Sequence, residues 1–190
     1  MATEKDRNLA NTVKDSIVGS IRGVGDVAGA IIDVVTGTLG KTVRGTREVG
    51  GDLSSLILGT ITGTIQGAVE VGSEIGSAAK GAMIGVLKGT KEVGTTALET
   101  VSLSAGAVVK ATAGVGGDVG TAAKGAVAGA IEAAKDLGVD ASEAASAAAS
   151  GAIKAAGQIG GAAGGQVRNA VTGTISGIKV VVKEPFTKDK

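Results

Sequence analysis

No cysteine and no histidine occur in these 190 residues, and the aromatic side chains come down to Phe186, with no Trp and no Tyr. Each absence removes a class of function. Without Cys or His there are no thiolate or imidazole ligands for a zinc-type site, and no Ser-His or Cys-His nucleophile. Without cysteine there is also no disulfide framework, and thiols say nothing of the redox compartment. Without aromatic rings there are no platforms on which bases could stack. Charge points the same way. The 19 basic and 18 acidic residues are spread along the chain and leave a formal net charge of +1, so no basic stripe awaits a nucleic-acid backbone. No nucleic-acid partner is expected.

Targeting signals are missing as well. The stretch from Met1 to Asp15 carries Glu4, Lys5, Asp6 and Arg7 and lacks the apolar region of a signal peptide. The longest uncharged run, Leu53 to Val69, includes Ser, Thr, Gln and Gly, and it falls short of the roughly 20 apolar residues a spanning helix needs. The reading is a cytoplasmic protein, with association to a membrane surface as the alternative.

What is abundant is glycine, at 34 residues, together with alanine. Large side chains normally supply much of a core's buried area. A chain whose apolar residues are Val, Ile, Leu and Ala must instead bring backbones close together. It does so through a repeat. Val71-Gly-Ser-Glu-Ile-Gly-Ser-Ala-Ala-Lys-Gly-Ala-Met realigns 44 residues later with Val115-Gly-Gly-Asp-Val-Gly-Thr-Ala-Ala-Lys-Gly-Ala-Val. A shorter signature returns every 22 residues, at Glu48-Val-Gly-Gly-Asp, Glu70-Val-Gly-Ser-Glu, Glu92-Val-Gly-Thr-Thr, Gly114-Val-Gly-Gly-Asp and Asp136-Leu-Gly-Val-Asp. Gly-centred blocks such as Gly81-Ala-Met-Ile-Gly-Val-Leu-Lys lie halfway between, so the half-period is 11. The domain reading is a charged segment at 1–8, one continuous array over 9–182, and a charged tail at 183–190 that begins around Pro185.

Within each unit the apolar residues advance by fours and then by six. Val71, Ile75, Ala79, Met83 and Leu87 step to Val93; Val115, Val119, Ala123, Val127 and Ile131 step to Leu137. Steps of four follow one ridge of an α-helix, and the step of six resets its drift. The 11-residue average is about 3.67 residues per turn, the right-handed counterpart of the heptad. Glycines form a second row at the same spacing: Gly59, Gly63 and Gly67; Gly81, Gly85 and Gly89; Gly125 and Gly129. Such a row is a flat groove that lets another backbone approach, so ridge and groove are self-complementary. Each interior glycine costs about 1 kcal/mol of helix propensity against alanine, and packing must supply the deficit.

The expected fold is therefore all-α: amphipathic helices of Gly/Ala-rich 22-residue units packed by small-residue rows. In the signature, Gly suits a left-handed helix end, and Ser73, Thr95 or Asp118 suits an N-cap. Either long helices hinged every 22 residues or shorter helices joined by tight turns would fit; the unbroken register favours the long form. A β-solenoid with 22-residue coils is the alternative, because 22 is even and the ridge residues would all point inward. Thr60-Ile-Thr-Gly-Thr-Ile and Ile178-Lys-Val-Val-Val look strand-like. The alanine-rich stretch from Ala141 is poor strand material.

Carboxylates at Glu48, Glu70, Glu92 and Asp136 are the only acid–base candidates, and their place in the repeat reads as a charge row rather than a catalytic set. Gly114-Val-Gly-Gly-Asp-Val-Gly has the look of a dinucleotide fingerprint but lacks a βαβ setting. A basic row, Arg22, Arg44, Lys88, Lys110 and Lys154, serves either lipid head groups by snorkelling or salt bridges to a neighbouring helix. No catalytic, cofactor or metal site is expected, and no enzymatic activity.

At Lys88-Gly-Thr-Lys-Glu-Val-Gly and at Lys41-Thr-Val-Arg-Gly-Thr-Arg-Glu-Val-Gly the chain resembles the 11-residue repeats of synucleins. The period is similar to that of perilipins, Ala-rich late-embryogenesis proteins and helical antifreeze proteins. For the synuclein and perilipin types the resemblance implies disorder in solution and a helix on lipid. The richness in glycine and the zipper rows depart from that pattern and favour packing of protein on protein. The leading expectation is a homo-oligomer, as a filament, tube or shell, built ridge into glycine groove. A lipid-coating helix and a desiccation protectant are the alternatives.

Overall fold

The computed structural model describes residues 4–22, 26–46, 53–91 and 98–182. They form helices α1 (Glu4–Ile21), α2 (Val27–Thr46), α3 (Leu53–Glu70), α4 (Ile75–Lys91), α5 (Leu98–Gly114), α6 (Val119–Leu137), α7 (Ala141–Ile159) and α8 (Gly161–Val171), followed by the short strands β1 (Gly173–Ile175) and β2 (Ile178–Val180). The fold is all-α. The β-solenoid is set aside: Thr60 to Ile65 lies inside α3, and Ile178 to Val180 pairs only with β1.

The unit does not continue into long helices, and at the ends of α3, α5 and α6 its glycine closes the helix. Gly72, Gly116 and Gly138 have φ near +70°, a left-handed conformation that costs a residue without Cβ little. Two hydrogen bonds seal each of these three ends. Ser73 N–H donates to the Ala68 carbonyl at 2.8 Å and Gly72 N–H to that of Val69 at 3.0 Å. Gly117 and Gly116 repeat this on Thr112 and Ala113, and Val139 and Gly138 on Ala134 and Lys135. This double closure satisfies carbonyls that a helix end leaves orphaned. The next helix starts at once. Asp118 accepts from the N–H groups of Gly120 and Thr121, and Asp140 from those of Ser142 and Glu143. Asp26 caps α2 through Gly29 N–H at 2.9 Å. Of the N-caps expected from the sequence, Asp118 holds that place. Ser73 instead takes part in closing α3, and Thr95 lies outside the described residues. At these three glycines the hinge is thus a reversal of the chain, and the register survives because the next helix starts at the same offset from each, at Ile75, Val119 and Ala141.

Short connections make consecutive helices antiparallel, yet each helix packs chiefly on its second neighbour. The odd helices α1, α3, α5 and α7 form one layer and the even helices α2, α4, α6 and α8 the other. Within a layer the helices are parallel. A two-layer helical stack results, and its true unit is a 44-residue hairpin, which is why the 44-residue matches carry more identity than those at 22. The core holds the fully buried Ile31, Leu39, Ile57, Ile61, Ile65, Met83, Leu87 and Ile131. Toward the C-terminal end the filling changes to alanine: Ala144, Ala145, Ala148, Ala149, Ala152 and Ala156 are all buried.

The helices of the array end at Val171, earlier than the repeat predicts. Ser176 and Gly177 both have positive φ, the two-residue hairpin turn whose twist suits paired strands. The hairpin pairs Ile175 with Ile178 and lies against α7, so Ile175 and Val180 are buried while Val181 is exposed. Solenoid stacks need a terminal element that covers the last repeat, and β1–β2 does this for α7. At the other end, the segment read as 1–8 enters α1 at Glu4. The tail 183–190 lies outside the described residues.

Removing one cap should be measurable. Thr121 holds the Asp118 carboxyl below its ordinary pKa, first through the side-chain hydrogen bond at 2.8 Å and then through its backbone N–H. A lowered carboxylate pKa gives stability that is complete above the unfolded value and is lost as pH falls through the folded one. Asp118→Ala is expected to cost about 1 kcal/mol at neutral pH. That gap should narrow in denaturant melts taken below pH 3.8, the ordinary carboxyl value.

Candidate functional site

The ridge and groove predicted from the sequence meet inside the chain. A Cβ placed on Gly85 of α4 would lie 2.6 Å from Val35 Cβ of α2, one on Gly89 would lie 3.0 Å from Leu39 Cβ, and one on Gly81 would lie 3.0 Å from Ile31 Cγ2. Three consecutive ridge residues of α2 are therefore seated in three consecutive glycines of α4. The spacing is constant: each glycine stands 50 residues after its ridge partner (81 against 31, 85 against 35, 89 against 39). In the other layer Gly63 meets the Ala10 carbonyl and Val13 of α1, and Gly67 meets Ile17 at 3.0 Å, again 50 residues apart.

Farther along, backbone faces backbone. Gly125 of α6 sits on the Gly76 carbonyl, Gly129 on that of Lys80 at 2.6 Å, and Gly151 of α7 on that of Ser102. The pairs ascend together along both helices, which establishes the parallel direction within a layer. Gly59 is buried in α3. Among the ridge residues, Ala79, Met83, Leu87, Val119, Val127 and Ile131 are buried. Val71, Ile75 and Val115, at the turns, are half-buried. Met83 faces Gly129, with its Cβ 3.0 Å from the added methyl position.

The basic row divides between the layers. On the even layer Lys88 reaches Asp136 at 3.0 Å and Lys80 reaches Glu132 at 2.7 Å, both from α4 to α6. Lys91 Nζ donates to the Leu137 carbonyl at 3.1 Å. On the odd layer Lys14 of α1 reaches Glu70 of α3 at 3.1 Å, and that hydrogen bond, with the carboxylate charge, raises the lysine pKa. A raised lysine contributes stability that is present below its unfolded value and is lost as pH rises through the folded one. These pairs are half-exposed, so screening by water leaves each with little net stabilisation. Lys110 and Lys154 are exposed and form no ion pair among the described residues. Arg22 is exposed just after α1. The side chain of Arg44 lies outside the described residues, as do Glu48 and Glu92. The two described carboxylates of the acid–base set, Glu70 and Asp136, are both ion-paired across stacked helices.

The odd layer also presents an open groove of about 440 Å³ along α5 and α7. Gly106, Ala107 and Gly151 line its floor, Leu58 and Leu103 one side, and Glu99, Lys110 and Lys154 its margins. The sequence reading overlooked this face because it placed the basic residues in one row and the acids in another. The signal was the same 44-residue spacing, Glu99 to Glu143 and Lys110 to Lys154. Among the described residues no group of three carboxylates stands close enough to hold a metal ion, and no helix is long and apolar enough to cross a membrane.

No protein-family model matches the chain. No curated protein matches it either. Among solved structures it is similar to the crystal structure of the de novo designed helical repeat protein DHR7, with a TM-score of 0.55 and 18% identity over 88% of this chain and 91% of that one. At that identity the likeness concerns the fold alone, and it places the chain with helical repeat architectures.

Identical substitutions should have opposite signs here. Gly37 of α2 is exposed with nothing within 4 Å of an added Cβ, so Gly37→Ala should stabilise by about 0.5–1 kcal/mol through helix propensity. Gly85→Ala forces a methyl into Val35 and should destabilise by about 1–3 kcal/mol. Thermal melts of the two variants against the parent would read the contrast. Equal stabilisation of both would show that Gly85 is not a packing position.

Proposed function

We propose that the chain is a non-enzymatic structural protein, a rigid helical-repeat block that associates with copies of itself. The observation that carries this reading is the seating of Ile31, Val35 and Leu39 on Gly81, Gly85 and Gly89. The most strongly repeated residues of the chain go into stacking helices, which is the use expected of a building element. The contact that was expected to join two copies joins two layers-mates of one chain instead. Association of copies then falls to the surface this stacking leaves open. The outer side of the odd layer supports it, with small residues along an open groove, an exposed Leu58 and two exposed lysines that form no ion pair among the described residues.

A second reading, binding to a lipid surface, is favoured by Arg22, Lys110 and Lys154 toward the C-terminal ends of odd helices, and it keeps the kinship in period with the synuclein and perilipin repeats. Flotation with anionic vesicles tests it; a chain that stays with the aqueous fraction speaks against it.

Self-association is tested by sedimentation of the purified chain over a wide concentration range, with negative-stain images of the same samples. Species heavier than the 18.1 kDa chain are expected to grow with concentration. A single 18.1 kDa species at every concentration overturns the reading.

A further inference from the structure

We infer that the outer face of α5 and α7 is where two copies meet, related by a two-fold axis that lies in the face and runs across the helices. The inference rests on the self-association reading and names its surface. On α5, Glu99, Leu103, Gly106 and Lys110 follow one another at steps of four, three and four, so they share one face. On α7, Glu143, Ala147, Ser150 and Lys154 do the same. In each case the glutamate and lysine are 11 residues apart, three turns, or about 16 Å along the axis. All four charged side chains are exposed and make no ion pair among the described residues. Gly106 and Ala155 are neighbours across the two helices, so the two stripes are level to within about a turn. The face thus has a glutamate at one end of each stripe, a shallow floor of small residues and a lysine at the other end, with Lys179 of β2 bordering the α7 stripe beside Glu143.

Such a face carries its own complement. An in-plane axis parallel to the helices would lay glutamate on glutamate and lysine on lysine. An axis across them lays Glu99 and Glu143 of one copy over Lys110 and Lys154 of the other, twice by symmetry. Leu58 and Leu103 then border the Gly106–Gly151 floor of the partner. On the even layer Lys80 and Lys88 are already engaged by Glu132 and Asp136. Three helices at their usual spacing present about 20 Å by about 25 Å, or about 500 Å² a side. Stable interfaces bury about 800 Å² per partner, so the dimer is reversible.

The test uses two charge-reversal variants of the full chain, Lys110→Glu with Lys154→Glu, and Glu99→Lys with Glu143→Lys. Each alone should weaken self-association at least about tenfold in sedimentation equilibrium, and an equimolar mixture should restore a dimer containing one of each. Circular dichroism checks folding, and Lys110→Gln with Lys154→Gln replaces the first variant if that one does not fold. If the parent associates and both variants do so equally well, this face is wrong while self-association stands. If the parent is monomeric throughout, both readings fall. A mixture that stays monomeric although the parent dimerises overturns the crossed arrangement. Flotation of the parent on anionic vesicles, lost in the lysine variants with no change in association, would give the face to lipid instead.

Discussion

Everything in this fold depends on helices approaching closely enough that glycine is the only residue that fits between them. Glycine weakens a helix by about 1 kcal/mol per position relative to alanine, so the isolated helices of this chain are poor ones. They gain order from the neighbour whose ridge fills their groove. Gly85 against Val35 and Gly129 against the Lys80 carbonyl show both versions of the contact, side chain into groove and backbone onto backbone. Helix and stack therefore form together. Propensity, usually a modest local bias, becomes a reason for tertiary structure here.

That constraint also explains the alanine. Once backbones are this close, larger side chains have no room between neighbouring helices of a layer. The N-terminal half fills its core with Ile31, Leu39, Ile57, Ile61 and Ile65, whereas α7 contributes Ala144, Ala145, Ala148, Ala149, Ala152 and Ala156. Apolar burial stabilises by about 25 cal/mol per Å², so each alanine adds less than an isoleucine. The C-terminal part relies more on backbone proximity and on its caps. Asp118 and Asp140 both carry side-chain caps there, and the β-hairpin closes the end of the stack.

Much of this was legible in the sequence, and the parts that were not share a cause. The ridge of Val71, Ile75, Ala79, Met83 and Leu87, the groove of Gly81, Gly85 and Gly89, and the helix-ending glycine of the signature all followed from spacing. The reversal at that glycine did not. A 22-residue register is kept equally by a straight helix and by a hairpin, and only the left-handed geometry at Gly72, Gly116 and Gly138 distinguishes them. The partner of the groove was equally hidden. Self-complementarity in a repeat cannot tell a neighbour in the same chain from a neighbour in another, because both present the same residues. The charged stripe of Glu99, Lys110, Glu143 and Lys154 escaped notice for a related reason: antiparallel hairpins send alternate units to opposite layers, so only every second unit shares a surface. The hairpin at Gly173–Val180 lay outside the repeat's logic, although Ser176-Gly177 marks its turn.

The separation of 50 residues between the ridges of α1 and α2 and their grooves on α3 and α4 also sets a clock on biosynthesis. A ridge such as Val35 has no seat until Gly85 has left the ribosome, and at about 5–20 residues per second that takes about 3–10 s. Throughout translation the newest helices stand unpaired while the older ones are already locked. In the folded chain β1 and β2 lie against α7 and cover part of the edge that it presents.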